Sequence, residues 1–415
     1  MSNIPKIRFK GFTDAWEQRK FGELAEYKKG PFGSAITKSM FVPKSDDSVK
    51  VYEQQNAINN DWSLERYFLP KEYAYTRLKA FEVHSGDIIV SCAGTIGEIY
   101  EIPDNAEYGV INQALMRVRV NEKIVDKRMF IIAFSNMINE FTRTHSNGSA
   151  IKNIPPFADL KPMKVLMPSM EEQRVISEYF EKIDHLITLH QRKCDNMKKI
   201  KKFMLQKMFP KKGEKFPEIR FEGFTDAWEQ RKLGEIATYR NGKAHEANQL
   251  DVGTYELVNL NSISIDGGLK PSGKFIEDGS DTLQRNDLVM VLSDVGHGDL
   301  LGRVAIIPEN NRYVLNQRVA LLRINDDTNT YFLFSIINRY QDYFKKLGAG
   351  SSQLNISRGI VENFEVAYPN VAEQRMIADY FQSLDHLITL HQRKSDELKE
   401  MKKYMLQNMF PDGRK

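Results

Sequence analysis

Two internal repeats constrain the fold of this chain more than any other feature of its sequence. Residues 7–20 read IRFKGFTDAWEQRK, and residues 219–232 match them at thirteen of fourteen positions. A second block is shared by residues 172–193 and 373–394, and its stretch DHLITLHQRK is unchanged between the copies. Both copies then continue into MLQ-x-MFP. Self-similarity at a fixed separation predicts two copies of one structural unit.

The second block predicts a long helix in each half of the chain. Residues 171–209 and 372–410 contain no glycine or proline, and apolar side chains recur at intervals of seven. An apolar stripe on a solitary helix has to be buried, so we expect the two helices to pair as an antiparallel coiled coil. The alternative is that each stripe packs on its own globular domain. The predicted coiled-coil core comprises Ile176, Ile183, Leu186, His190, Met197, Ile377, Leu384, Leu387, His391 and Leu398.

Two further expectations follow from antiparallel pairing. His190 and His391 should meet at the helix midpoints, and the N-terminus should lie near the end of the second helix. The paired helices would then act as a ruler that holds the two halves of the chain a fixed distance apart.

The near-identity of the repeats extends to residues that ought to be exposed, such as Glu17 and Gln18. A helix or strand does not need identical surface residues to fold, so two identical surfaces favour two copies of one docking partner. Localised gene conversion is the alternative explanation. The candidate partner-docking residues are Trp16, Arg19, Lys20, Arg174, His185, Trp228, Arg231, Lys232, Arg375 and His386.

The regions between the repeats diverge and contain short β-rich runs separated by Gly, Asn, Asp and Pro, together with helical pieces. We therefore predict an α+β fold with mixed or antiparallel sheets, in a pseudo-two-fold repeat. Four segments are expected: a first domain at 1–170 with the repeat segment 4–24, a central spacer helix at 171–215, a second domain at 216–370 and a distal spacer helix at 371–415.

Composition excludes several classes of protein. Lys and Arg exceed Asp and Glu by 59 to 55, which permits local basic patches without arguing for nucleic-acid binding. Only Cys92 and Cys194 are present, so neither a disulfide scaffold nor a Cys-based zinc site is expected. No apolar run approaches 18 residues and no signal core opens the chain, so we expect no membrane association and a cytoplasmic location.

Catalytic motifs are equally weak. Asn153-Ile-Pro-Pro-Phe157 is similar to the Asn-Pro-Pro-Phe loop of adenine methyltransferases, but it carries an inserted Ile and its counterpart in the second half lacks both prolines. The paired histidines are five residues apart, which is not the i, i+4 spacing of helical metal ligands. We therefore expect no catalytic, metal or cofactor site in this chain.

Loops that mix cations, amides and small residues suit DNA reading better. Asn and Gln pair with adenine, Arg and Lys pair with guanine, and Gly lets backbone amides approach phosphates. The candidate DNA-binding residues of the first half are Lys28, Lys29, Gly30, Phe32, Gly33, Ser34, Gln54, Gln55, Asn56, Thr95, Ser146, Asn147, Ser149 and Lys152. Those of the second half are Arg240, Asn241, Lys243, Asn259, Asn261, His297, Ser351, Ser352, Gln353 and Asn355.

The whole chain resembles the specificity (S) subunit of type I restriction–modification systems. The features that carry the resemblance are the duplicated FTDAWEQRK entry, a Gly-Asp or Asn-Asp strand, a later Asn-Gln, and an Glu-Gln-Arg helix that ends in Met-Leu-Gln. The resemblance implies two α/β target recognition domains, each of which reads one half of a split double-stranded DNA sequence, separated by two spacer helices.

The resemblance also implies partners and their cofactors. An S subunit has no catalytic centre; it recruits two methyltransferase (M) subunits that use S-adenosylmethionine to methylate adenine. Restriction (R) subunits join to form an ATP-dependent endonuclease, so ATP and Mg are expected on the partner subunits. The rival interpretation is a stand-alone DNA-binding or architectural protein with a coiled-coil region, and only an S subunit should co-purify with two methyltransferases.

Overall fold

The chain forms two compact units, each containing one globular repeat and parts of both long helices. One unit comprises Met1–Ile187 with Asp396–Lys415, and the other comprises Thr188–Ser395. The computed structural model describes residues 4–144, 157–295, 298–350 and 353–411. We call these the first and the second unit.

The elements of the first repeat alternate short strands and short helices before the first long helix. Its strands are β1 Glu17–Lys20, β2 Ala25–Lys29, β3 Ser48–Tyr52, β4 Phe68–Pro70, β5 Glu82–Val83, β6 Ile88–Ser91, β7 Ile99–Glu101, β8 Gly109–Ile111, β9 Leu115–Val120 and β10 Lys164–Met167. Its helices are α1 Phe21–Leu24, α2 Gln54–Ile58, α3 Lys71–Arg77, α4 Lys127–Thr144, α5 Phe157–Leu160 and the long α6 Met170–Lys207.

The second repeat follows the same order with small changes. Its strands are β11 Glu229–Lys232, β12 Ala237–Asn241, β13 Tyr255–Val258, β14 Phe275–Ile276, β15 Leu288–Val291, β16 Ser293–Val295, β17 Val304–Ile306, β18 Tyr313–Leu315, β19 Val319–Ile324, β20 Gln353–Asn355 and β21 Glu365–Tyr368. Its helices are α7 Leu233–Ile236, α8 Thr330–Arg339, α9 Gln341–Leu347, α10 Arg358–Glu362 and the long α11 Val371–Met409.

Each globular repeat is built on two small sheets. In the first unit an antiparallel sheet has the order β2-β9-β6-β7, and a mixed sheet has the order β4-β3-β8-β5 with β3 and β8 parallel. The second unit repeats this with β12-β19-β15-β17 and with β14-β13-β18, in which β13 and β18 are parallel. The predicted α+β class with mixed or antiparallel sheets is therefore confirmed.

The Gly-Asp and Asn-Asp motifs that the two halves share form the turn before the central strand. Gly86 and Asn286 have φ of 80° and 71°, a left-handed conformation that Gly and Asn adopt more readily than other residues. Asp87 accepts hydrogen bonds from Arg119 at 2.7 and 3.1 Å, and Asp287 is bound by an arginine in the same way. This shared motif is structural.

The long helices begin and end close to where the sequence predicts. The side chains of Ser169 and Asn370 accept hydrogen bonds from the backbone amides of Glu172 and Glu373, so both helices carry side-chain caps. Pro210 and Pro411 stand just beyond the ends, where a proline stops a helix.

Within each unit the contacts between the two long helices run in antiparallel order. In the second unit His190 lies against His391, with 3.0 Å between their Nδ1 atoms, and Lys201 binds Asp385 at 2.6 Å. The residue numbers of the contacting pairs therefore rise along the first helix and fall along the second. In the first unit Lys402 binds Asp184 at 2.5 Å, which is the same pair of positions in reverse. The predicted meeting of His190 and His391 is confirmed.

The buried helix positions correct part of the predicted core. Ile176, Ile183, Ile377, Leu384 and Leu398 are buried, and Met197 and the two histidines are partly buried. Leu186 and Leu387 are wrong, because their exposed fractions are 40% and 37%. The second buried row instead includes Phe180, Cys194, Met208, Phe381, Ser395 and Met409. Each residue of this row follows a residue of the first row by four positions. The two rows together form one buried seam, and the row that contains Leu186 stays outside it.

The duplicated entry segment closes each globular repeat onto its long helices. Strand β1 pairs antiparallel with β10, the strand that directly precedes α6, and β11 pairs with β21 in the same way. The amide of Ile7 donates to the carbonyl of Asn408 at 3.1 Å, which confirms that the start of the chain lies beside the end of the second helix. The backbone of the entry repeat therefore pairs with other segments of the same unit.

The entry tryptophans do not form an exposed docking surface. Trp16 is 2% exposed and packs edge-on against Phe410, and Trp228 is 1% exposed and packs edge-on against Phe209. A buried indole ring is not available to a partner, so the prediction that these two residues dock one is wrong. Their identity in both copies follows from the same core contact being made twice.

Candidate nucleic-acid interface

The candidate loops of the first unit meet at one end of its antiparallel sheet. Strand β2 ends at Lys29, which pairs with the first residues of β9, and β9 pairs there with the last residues of β6. The loop after β3 joins them, because the carbonyl of Tyr52 accepts from the amide of Asn112 at 3.1 Å. We call residues 29–34, 53–56, 92–95 and 112–114 the first sheet-end site.

Hydrogen bonds hold the parts of this site together. The side-chain amide of Gln54 donates to the carbonyls of Ala93 and Thr95 at 2.6 and 2.7 Å. The predicted residues Gln54 and Thr95 are therefore brought together, with the amide nitrogen of Gln54 already used. Gln55 and Thr95 are exposed, as are Phe32, Gly33 and Ser34. Lys29 is exposed, whereas Lys28 is partly buried with its Nζ 5.0 Å from the ring centroid of Phe81.

Asn56 is a wrong prediction, because its side chain stabilises the loop from inside. It is fully buried, and its Oδ1 accepts from the amide of Glu53 at 2.9 Å. Its Nδ2 donates to the carbonyls of Asp61 and Leu64. With both ends of the amide used, Asn56 has no group left for a base.

Gly30 has a structural role different from the predicted approach to phosphate. A Cβ at Gly30 would lie 1.8 Å from the carbonyl oxygen of Asn112, and the same holds for Gly242 and Asn316. The Gly30 amide donates to the carbonyl of Leu115 at 2.8 Å, so it is not free to donate to a phosphate. Close backbone packing explains glycine at both positions.

The second unit assembles an equivalent site at the matching sheet end. Asn241, the last residue of β12, pairs with β19, and the carbonyl of Val258 accepts from the amide of Asn316 at 2.9 Å. Strand β20 pairs antiparallel with β16, which places Gln353 opposite Val295. We call residues 242–246, 259–262, 293–295, 316–318 and 353–355 the second sheet-end site.

Several predicted readers in the second unit are tied to their neighbours. Asn355 accepts from Ser293 at 2.5 Å, and the side chain of Gln353 donates to the same hydroxyl. Asn259 caps the turn that follows β13 by accepting from the amide of Asn261 at 2.9 Å. Asn261 itself is exposed. The Nδ2 of Asn355 also donates to the carbonyl of Gln353 at 3.0 Å, so both ends of the Asn355 amide are used.

The cations of the second site are balanced by a carboxylate. Arg240 forms an ion pair with Asp281, and Lys243 lies 3.4 Å from the same carboxylate group. Asn241 accepts a hydrogen bond from the hydroxyl of Tyr239. A phosphate that binds here therefore competes with Asp281 for both cations. This competition favours DNA whose phosphate fits the positions of both cations.

Arg318 belongs to this site, and the sequence analysis missed it. Its backbone φ is 68°, a left-handed conformation that is uncommon outside glycine and asparagine, and its side chain is exposed. Strained backbone of this kind concentrates at functional sites. Its place directly after the Asn-Gln motif is the only sequence signal, because the first unit has Ala114 there.

Burial raises the pKa of the Cys92 thiol, in the first sheet-end site, to about 12, so it stays protonated at neutral pH. In the described part of the chain, no three His, Cys, Asp or Glu residues come close enough to hold a metal ion. No helix among those residues is long and apolar enough to cross a membrane.

Other predicted residues keep their status as predictions. Ser146, Asn147, Ser149, Lys152, His297, Ser351 and Ser352 lie outside the described residues. The docking candidates Lys20, Arg174, His185, Lys232, Arg375 and His386 are exposed. Arg19 binds Glu17 at 2.7 Å, and Arg231 binds Glu229 and Asp327.

Comparison with protein families gives one match that spans most of the chain. The model described as type I restriction modification DNA specificity domain matches residues 13–199 and 225–400. It therefore matches both repeats, and each match extends into a long helix.

Individual relatives agree with the family match. The chain is 22% identical to the type I restriction enzyme MjaVIII specificity subunit of Methanocaldococcus jannaschii, over 96% of this chain and 92% of that protein. It is 20% identical to the putative MjaX specificity subunit of the same organism, over 79% and 78%.

Solved structures share the fold. The S subunit of a type I restriction-modification system from M. genitalium superposes with a TM-score of 0.66 at 16% identity, covering 99% of this chain and 100% of that one. A chain from a structural study of assembly and conformational transition of the type I R-M system gives 0.54 at 14% identity, covering 96% and 98%.

Proposed function

Because the chain belongs to the type I restriction–modification DNA specificity family, we propose that each unit reads one half of a bipartite double-stranded DNA target through its sheet-end site. The observation that carries the proposal is the convergence of polar loops at the same end of the same sheet in both units. The function of the chain is recognition, and it is not the catalytic subunit. The divergence of the loops between the two sites fits two different half-sequences.

Direct readers and phosphate contacts should respond differently to substitution. Gln353→Ala in the second site should relax base choice in one half of the target by ~1–3 kcal/mol, because an amide that reads a base edge carries sequence information. Lys29→Ala in the first site should weaken binding to all sequences and reduce its dependence on salt by about one unit of slope. Binding measured at several salt concentrations separates the two. Unchanged binding in both variants would refute the sheet-end assignment.

The exposed surfaces of the long helices fit a second role, the docking of two methyltransferase (M) subunits. Apolar side chains outside the buried seam remain exposed on both helices: Leu186, Leu189, Ile200 and Phe203 on α6, and Leu387, Leu390, Met401 and Tyr404 on α11. His185 and His386 lie in the unchanged stretch and are exposed too. Matching surfaces on two helices suit two copies of one partner.

The docking proposal assigns the chemistry to the partners. S-adenosylmethionine would bind to the M subunits, and ATP and Mg to restriction (R) subunits that join for cleavage. Charge reversal at Arg19 and Arg231 together should reduce co-purification of the M subunits while the globular repeats stay folded. An intact complex with altered DNA specificity would instead assign these arginines to DNA reading.

The long helices would also set the distance between the half-sites. We propose that they pair as an antiparallel coiled coil along their length, and the antiparallel order of contacts in each unit supports this. A helix pair of fixed length would hold the two recognition sites apart and leave the intervening bases unread.

A further inference from the structure

Phe32 is the most exposed large apolar side chain among the described residues, with an exposed fraction of 89%. It lies in the first sheet-end site, three residues after the exposed Lys29, the last residue of strand β2. An exposed phenyl ring among loops assigned to DNA reading offers a flat apolar face on which a base can stack.

The backbone around Phe32 is fixed on both sides. On one side the Gly30 amide donates to Leu115, and Gly30 packs so closely on Asn112 that no Cβ would fit. Pro31 is buried. On the other side the carbonyl of Phe32 accepts from the amide of Ala35 at 2.9 Å, in a short 3-10 turn. A ring presented from a fixed backbone loses little conformational entropy when it binds.

The second unit lacks this feature. The loops after β2 and β12 both begin with a glycine whose missing side chain is required by packing, but the 3-10 turn that follows starts at Gly33 in the first loop and one residue later, at Glu246, in the second. Counted from the glycine, Ala244 matches Phe32; counted from the turn, His245 matches it, and His245 is partly buried. The two sites therefore differ in whether they present a fully exposed aromatic ring, because only the first has one at either matching position.

We propose that Phe32 stacks against the bases of the half-site read by the first unit and opens one base step there, while the second unit leaves its half-site stacked. Apolar side chains inserted between base pairs unstack and kink DNA, and the cation of Lys29 would hold the neighbouring backbone. An opened step also lowers the cost of extruding a base, which any enzyme that modifies a base in duplex DNA has to meet. The inference rests on the proposed function of the sheet-end sites.

The test uses the complex of this chain with its methyltransferase subunits and a duplex that carries the sequence methylated in cells. The fluorescent base 2-aminopurine is placed singly at each position of both half-sites other than the methylated adenine. With the natural chain, fluorescence should rise at one step of the first half-site and at none of the second. Phe32→Ala should abolish the rise, and Phe32→Trp should retain it.

Affinity gives the second readout. Loss of a stacked base costs ~1–3 kcal/mol, so Phe32→Ala should raise the Kd about 5- to 150-fold. Val252→Ala is the matched control, because Val252 is 83% exposed but precedes β13, at the end of that strand away from the site. Its Kd should not change.

Three results would overturn the proposal. The first is a Phe32→Ala complex with the natural Kd and an unchanged fluorescence pattern. The second is a loss of methyltransferase subunits from the Phe32→Ala complex, which would make Phe32 a protein contact. The third is an equal fluorescence rise in both half-sites of the natural complex. Lys29→Ala separates failure of the stacking proposal from failure of the sheet-end assignment. If Lys29→Ala weakens DNA binding while Phe32→Ala does not, only the stacking role of Phe32 is refuted.

Discussion

A buried ion pair explains part of the repeated entry segment, and breaking it should destabilise the first unit strongly. Arg8 donates two hydrogen bonds of 2.7 Å each to Glu172, whose side chain is 1% exposed, at the start of the first long helix. Arg220 and Glu373 repeat the contact in the second unit. Because both partners belong to the repeated blocks, this pair gives a structural reason for the identity of the two copies at these positions.

Replacing Arg8 by Ala leaves the Glu172 carboxylate buried without its partner. Breaking one side of a buried pair costs ~3–5 kcal/mol. For a unit of about 200 residues, 1 kcal/mol corresponds to ~2–4 °C in the unfolding midpoint. Arg8→Ala should therefore lower the midpoint of the first unit by ~6–20 °C in differential scanning calorimetry. The double variant Arg8→Met with Glu172→Leu should recover most of the loss, because apolar residues of similar volume often replace a buried pair without cost.

Lys10→Ala is the matched control. Lys10 is exposed in the same segment, and it is the one position of the fourteen at which the two entry copies differ. Its midpoint should stay within ~2 °C of the natural chain, since surface substitutions change stability by about 0.5 kcal/mol or less. If Arg8→Ala and Lys10→Ala unfold at the same temperature, the entry segment is not held by this pair and its identity needs another cause.

Three further predictions follow from the helices and the glycine loop. Desolvation and the charges of His391, Lys193 and Lys394 lower the pKa of His190, so protonation of this histidine disfavours the folded state. The stability that it contributes should be full above ~pH 6.5 and should fall at lower pH. A His190→Gln variant should therefore show a smaller drop in unfolding midpoint than the natural chain between pH 7.5 and 5.5. Gly30→Ala should cost ~1–3 kcal/mol in urea unfolding through its clash with a backbone oxygen, whereas Gly33→Ala, where a Cβ meets nothing within 4 Å, should cost less than half of that; equal losses would contradict the packing argument. One heptad inserted into both helices should lengthen the unread spacer of the target by ~10 Å, or ~3 base pairs, and an unchanged spacer with intact binding would exclude the ruler.

The sequence predicted the repeat-level organisation because repetition and heptad spacing are one-dimensional signals. The long helices start and end within two residues of the stretches free of glycine and proline, 171–209 and 372–410, and the two histidines meet. Which row of apolar side chains on each helix is buried was not predictable from their spacing. Leu186 and Phe180 are both apolar, and only the partner helix decides which of them is buried.

Individual site residues were harder to predict, because a polar side chain in a loop either reads a ligand or holds the loop. Asn56 and Gly30 hold the loop, and nothing in their sequence neighbourhood distinguishes them from exposed Gln55. The convergence of loops that are tens of residues apart depends on strand pairing, which the sequence did not specify. Arg318 shows the converse, because its backbone conformation marks it and its residue type does not.

The assignment of one half-site to each unit is tested most directly by exchanging one globular region and sequencing the methylome. Residues 21–168 would be replaced by the corresponding region of a relative with a different target, and the modified adenines would be mapped in cells that carry the complete system. One half of the methylated sequence should change to that of the relative, while the other half and the spacer stay the same. A change in both halves, or in neither, would contradict the account.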